Sequence, residues 1–152
     1  MSAKRVVMVI DMQNGVFATP RLQREQCVSR INQLTRAADT VIFIQHCEDG
    51  GLEAGSDGFS LLPALFQPEE ALYVTKTACD AFYKTELAPL LEEKGIAEWV
   101  ICGCATDYCV DTTIKIAASR GYAITVASDA HTTANRPAVD DASLIAHYND
   151  VW

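Results

Sequence analysis

From Arg5 to the C-terminal tryptophan, short unbroken apolar runs alternate with stretches in which apolar residues recur every three or four positions. Runs of the first kind suit strands buried on both faces of a parallel sheet, and stretches of the second kind suit the helices that cross over between them. Strands are predicted over Arg5–Ile10, Thr40–Gln45, Ala71–Thr75, Trp99–Gly103 and Tyr122–Ala127. A first helix is predicted from a Thr19 cap and Pro20, with Cys27, Ile31, Leu34 and Ala38 on one face. A second spans Thr85–Lys94, turns Leu87, Leu90 and Leu91 inward and ends at Gly95. A third follows Thr106, with Val110, Ile114, Ala117 and Ala118 in register until Gly121, and a closing helix covers Val139–Trp152 with Val139, Ala142, Ile145 and Ala146 toward the core. The segment Glu48–Ser60 carries Gly50, Gly51, Gly55 and Gly58, has no core pattern, and reads as a surface loop of the kind that lines sites. The class implied is α/β, a doubly wound parallel sheet in three layers with helices on both faces.

Length and composition narrow this to one domain over residues 1–152, because 152 residues at 49% hydrophobic content enclose one substantial core. The net charge of −8, with no basic cluster beyond Lys4-Arg5, repels a polynucleotide backbone and excludes nucleic acid as a partner. Asp11 ends the run Val6–Ile10 too early for a signal-peptide core, and no segment reaches the apolar length of a membrane span. A cytoplasmic protein with a small-molecule substrate is expected. Six cysteines without a Cys-x-x-Cys pair point to reduced thiols, and Cys102, Cys104 and Cys109 match no common zinc spacing.

Chemistry enters at the carboxyl ends of the strands, where parallel sheets bind ligands. The residues leaving the strands are Asp11, Gln45-His46, Lys76 and the turn Cys104–Cys109. Asp11-Met12-Gln13-Asn14-Gly15 lacks the glycine pattern of a dinucleotide site, and no phosphate loop is present. Cys109 is placed in the first turn of the third helix, with Thr106 as N-cap and Asp107 beside it, where unpaired amides and the helix dipole lower a thiol pKa. Taken singly, each residue has an ordinary reading: a turn-forming acid, a solvated lysine, a buried thiol. Together a carboxylate, an ammonium and a thiol at one sheet edge can run nucleophilic acyl chemistry, with backbone donors for the oxyanion.

Three separated motifs give these residues a family likeness. Val9-Ile10-Asp11-Met12-Gln13, then Lys76 with Asp80-Ala81-Phe82, then Gly103-Cys104-Ala105-Thr106-Asp107-Tyr108-Cys109-Val110, with Ser128-Asp129-Ala130 after them, resemble the isochorismatase-like cysteine hydrolases over residues 4–150. That superfamily includes nicotinamidases and N-carbamoylsarcosine amidohydrolase. The resemblance implies strand order 3-2-1-4-5 and a catalytic triad of Asp11, Lys76 and Cys109. It also implies a non-proline cis peptide before Ala105 and an oxyanion site made by the amides of Ala105 and Cys109. Gln13 and Phe82 would line the substrate pocket, with His46 and Cys104 beside them. Nicotinamidases share an Asp-x-His metal pair after the second strand, whereas here Ile44 stands two before His46, so neither metal nor cofactor is expected. Many relatives continue into a sixth strand, so one sheet edge is expected to be covered in a homo-oligomer. Because isochorismatases proper work without a cysteine nucleophile, Cys109 points to cleavage of a C–N bond in a small amide-like substrate through a thioester. A metal-dependent nicotinamidase, a redox-sensing thiol protein and a catalytically silent binding module are the rival readings.

Overall fold

The computed structural model describes residues 4–152. Five parallel strands, β1 (Val6–Ile10), β2 (Thr40–His46), β3 (Leu72–Lys76), β4 (Glu98–Cys104) and β5 (Ala123–Thr132), form one sheet in the order β3-β2-β1-β4-β5. Alternation along β1 sorts the core into two layers. Met8 and Ile10 point to one face, where Ile42, Ile44, Ile101 and Trp99 meet the helices α2 (Leu87–Lys94) and α3 (Asp111–Ser119). Val7 and Val9 point to the other, where Val41, Phe43 and Cys102 meet Cys27, Val28 and Ile31 of α1 (Arg24–Arg36). The last helix, α4 (Asp141–Val151), lies beside β5.

The boundaries of α1, α2 and α4 depart from the periodicity. The first helix begins at Arg24, not Pro20, because the chain before it is tied elsewhere: the Leu22 amide donates to Thr133 O at 3.0 Å and Arg21 donates to Val16 O. The second begins at Leu87, whose amide donates to Thr85 Oγ1, so Thr85 stands before the helix. In α4 the carboxylate of Asp140 caps the Ser143 amide at 2.8 Å and sets a register that buries Leu144 and half-buries Ile145, Tyr148 and Trp152, while Val139, Ala142 and Ala146 face solvent.

Two glycines bring backbones together at the carboxyl edge. Gly103 has φ +125°, and a Cβ there would lie 2.2 Å from Ile10 O, so no other residue lets β4 close against the end of β1. A Cβ on Gly58 would meet Gly51 O at 1.8 Å, and this close approach folds the 48–60 loop back on itself. The loop is fastened to the turn after β1, where Asn14 donates to Ser60 O at 2.9 Å and Gly15 to Gly58 O at 2.8 Å. Beyond Ile101, which pairs with Val126, the register of β4 and β5 slips so that Gly103 pairs with His131. The slip carries His131, Thr132 and Thr133 to the edge where the other strands end.

Candidate active site

Asp11 leaves β1 in the left-handed conformation, φ 51°, which aspartate tolerates better than most residues. Its amide still extends the ladder to Ile44 O, and its side chain is nearly fully buried. Lys76 ends β3, two strands away, and only 1% of its surface is exposed. Its Nζ lies 2.9 Å from Asp11 Oδ2 and 3.3 Å from Cys109 Sγ, and it donates to Ala78 O at 3.0 Å. The fourth neighbour is His46 Nδ1 at 2.9 Å. An ammonium only donates, so Nδ1 accepts, and the ring proton sits on Nε2, 3.5 Å from Glu48 Oε1. Asp11, Lys76, Cys109 and His46 are thus brought together as the sequence places them.

The electrostatics follow from burial. Loss of solvent alone would pull the Lys76 ammonium down, but the Asp11 carboxylate and Cys109 outweigh it and hold Lys76 above its ordinary value. Burial, then the Lys76 charge, lowers His46, which is neutral. Burial pushes the Cys109 thiol well up, the Asp11 carboxylate adds to the shift, and Lys76 opposes it. This corrects the expectation of a thiol activated by a helix start. Residues Thr106–Val110 form a π turn in which Ala105 O accepts the amides of Tyr108 (3.1 Å) and Val110 (3.2 Å), passing over that of Cys109. The α-helix proper starts only at Asp111, after the thiol. Burial and the Asp11 carboxylate thus favour the neutral thiol, and Asp11 Oδ1 is buried without a hydrogen-bond partner in the protein. The peptide joining Cys104 to Ala105 is cis.

Asp11, His46 and Cys109 line the floor of a cleft of about 580 Å³, walled by Leu52, Ala105, Tyr108 and the 48–51 loop, and Lys76 is buried behind them. Two residues predicted to line it do not. Phe82 is buried in the core, stacked on Tyr122 at 5.7 Å and tilted against Trp99 at 6.5 Å, because the chain after Lys76 turns back over α2 and α3. Gln13 is fully buried and spends its amide on main chain: Nε2 donates to His46 O and Phe59 O, and Oε1 accepts the His46 amide at 2.8 Å. It therefore positions His46 and the loop. Cys104 borders the cleft yet has no exposed surface, and burial pushes its thiol up to about 12. Thr106 is not an N-cap, since its hydroxyl pairs with His131 Nδ1 at 2.7 Å.

Three cleft residues have no signal in the periodicity. Arg21, Cys79 and Arg136 arrive from irregular connections. Arg136 lies over the Tyr108 ring and forms a two-point pair with Asp107, which also accepts from Thr133 Oγ1. Burial would raise the Asp107 carboxyl, but these donors outweigh it and hold it below the usual carboxylate range. Among the described residues no three His, Cys, Asp or Glu side chains are grouped to hold a metal.

Fold and site together define a doubly wound α/β protein with a charged cleft at the carboxyl edge of its sheet. The isochorismatase domain profile matches residues 5–147, and the chain belongs to the isochorismatase family of hydrolases. It is similar to streptothricin hydrolase of Streptomyces noursei, 31% identical over 149 residues that cover 91% of this chain but only 53% of that enzyme. It is also similar to nicotinamidase 3 of Arabidopsis thaliana, 27% identical over 147 residues covering 85% of this chain and 73% of that one. The crystal structure of an isochorismatase family protein superposes with a TM-score of 0.91 at 30% identity, over 97% of this chain and 92% of that one.

Proposed function

We propose that the protein hydrolyses a C–N bond of a small amide-like substrate, with Cys109 as nucleophile, Asp11 as base and Lys76 as the cation that balances them. The observation that carries this reading is the buried Lys76 ammonium, 2.9 Å from Asp11 Oδ2 and 3.3 Å from Cys109 Sγ, the two residues it joins behind the floor of an open cleft. The Cys109 proton passes to Asp11 Oδ1, and the thiolate is held by Lys76 as it attacks the carbonyl carbon. The main-chain amides of Ala105 and Cys109 stabilise the oxyanion. Collapse breaks the C–N bond as Asp11 returns its proton to the departing nitrogen. Asp11 then takes a proton from water, whose oxygen attacks the thioester. The acid leaves, and the proton returns to sulfur.

A panel of small amides, ureas and nicotinamide, read by ammonia or amine release, tests the activity. Covalent capture of an acyl group on Cys109 by intact-mass measurement tests the thioester. Turnover that persists in Cys109→Ala overturns the reading.

Likeness to a nicotinamidase favours a metal-assisted variant as the second reading. His46 argues against it, because Nδ1 is engaged by Lys76 and, among the described residues, the one carboxylate paired with Nε2 is the exposed Glu48. Hydrolysis is expected to survive exhaustive chelation. Loss on chelation with recovery on adding zinc, manganese or iron would put the metal-assisted reading first.

A further inference from the structure

Thr106 stands three residues before Cys109, the spacing at which a threonine caps a helix by accepting the amide of the third residue beyond it. Such a cap would occupy the Cys109 amide. The turn is built otherwise. Its main-chain ladder runs from Val110 to Ala105 and from Asp111 to Thr106, and the Thr106 hydroxyl lies 2.7 Å from His131 Nδ1.

Every hydrogen bond behind that hydroxyl has a fixed direction. Asn149 Nδ2 donates to Ser128 O at 3.1 Å, which turns Oδ1 toward His131 Nε2, 2.8 Å away. An amide oxygen only accepts, so Nε2 carries a proton. Burial lowers the His131 pKa, outweighing Asn149 and Asp129, and favours the neutral ring. Nδ1 therefore accepts from Thr106 Oγ1, which fixes where that oxygen stands. The ring itself is 3% exposed, and Trp152 packs edge-on against it at 5.0 Å while its Nε1 donates to Asp111 Oδ1 at 3.0 Å. Asn149 of α4 and Trp152 just after it thus brace His131, and through it and Asp111 they brace both ends of the turn that carries Cys109.

We infer that His131 is a positioning residue of the proposed hydrolysis: it holds the Thr106 hydroxyl away from the Cys109 amide, which stays free to donate to the oxyanion. The inference rests on the hydrolase reading and adds to it a residue outside the cleft. His131 acts by denying the turn its ordinary cap.

Two substitutions separate the ring's two bonds. His131→Asn keeps an acceptor where Nδ1 stood and so retains the tie to Thr106, whereas His131→Gln keeps a donor where Nε2 stood and releases the hydroxyl. Loss of one oxyanion donor costs about 10²- to 10³-fold in kcat. On the panel of small amides, ureas and nicotinamide, His131→Gln is expected to lose about 10²-fold in kcat with KM within about twofold, and His131→Asn less than about tenfold. Thr106→Val breaks the same bond but leaves no hydroxyl to turn back, so it should lose no more than about fivefold, and adding it to His131→Gln should restore kcat to within about tenfold of the natural chain. Thermal melts check that each variant is folded.

A double variant as slow as His131→Gln, or a Thr106→Val loss as large as about 10²-fold, would overturn the inference and leave the hydrolase reading standing. If His131→Gln does not fold, Thr106→Val alone decides by the same limits. If the natural chain hydrolyses none of the panel, the hydrolase reading falls and hydrogen exchange of the Cys109 amide, followed by ¹⁵N NMR, decides the rest. Exchange that slows at least about tenfold in His131→Gln and recovers in the double variant keeps His131 as the residue that frees this amide. Equal exchange in the natural chain and both variants removes that role.

Discussion

The floor and the rim of the cleft are built in opposite ways. At the floor and just behind it, Asp11 and Lys76 stand at the ends of β1 and β3, 3% and 1% exposed, and their charges face each other in a medium that cannot screen them. At the rim, Glu48 has a side chain 61% exposed, and Arg21 and Arg136 come from connections between elements. Floor residues therefore couple reactivity to folding, because removing one strands the charge of the other. Exposed rim residues such as Glu48 can be expected to change with little effect on the core.

The sharpest break in this comparison is Cys109→Ala. Turnover should fall by at least about 10⁴-fold with the melt nearly unchanged, since the floor keeps its ion pair. Cys102→Ala, fully buried in β4, should do the reverse, costing about 1 kcal/mol of stability at near-normal rate. Rates and melts of the two variants check this.

Next come the floor charges. Asp11→Asn and Lys76→Met should each lose about 10³-fold in kcat/KM. Lys76→Met should also cost about 3–5 kcal/mol, because it leaves a buried carboxylate unpaired. The double variant should recover most of that stability and none of the activity. Multiplying activity losses, or a double variant less stable than Lys76→Met, would mean the pair is not the unit described.

Phe82→Ala is expected to cost about 3–5 kcal/mol by denaturant melt while substrate preference is kept, as befits a core ring. His46 gives a smaller, pH-dependent effect. Its folded pKa lies below the ordinary 6.5, so the unfolded chain binds its proton first as pH falls. The stability it contributes is complete above 6.5 and is lost as pH drops toward the folded value. The fall in melting temperature from about pH 7.5 to about pH 5 should be shallower in His46→Gln than in the natural chain. At the rim, Glu48→Gln should change KM by no more than about threefold and stability by less than about 0.5 kcal/mol.

Floor and rim also differ in how far the sequence reveals them. The strands are legible because each is a short apolar run, and in a parallel sheet every run ends at the same edge, so Asp11, Lys76 and Cys109 could be placed together without coordinates. Arg21 was absorbed into a predicted helix because Thr19-Pro20 mimics a helix start, while tertiary hydrogen bonds to Val16 and Thr133 hold that segment irregular. Arg136 and Cys79 sit in segments with no period at all. Phe82 and Gln13 were misplaced for a related reason: closeness in sequence to Lys76 and Asp11 does not say which way a side chain turns. A glutamine that satisfies three main-chain groups is invisible until those groups are in place.

An ammonium has three protons to give, and Lys76 Nζ has four acceptors around it: Asp11 Oδ2, His46 Nδ1, Ala78 O and Cys109 Sγ. One acceptor is always short, and rotation about the terminal C–N bond decides which. In the proposed cycle, as sulfur passes from thiol to thiolate to thioester, its demand for a proton rises and falls, and the shortfall moves to the neighbour that needs it least. In water, that adjustment requires many molecules to reorient. Here one torsion of a side chain locked into its sheet would accomplish it, so the proposed covalent cycle would turn without moving the backbone.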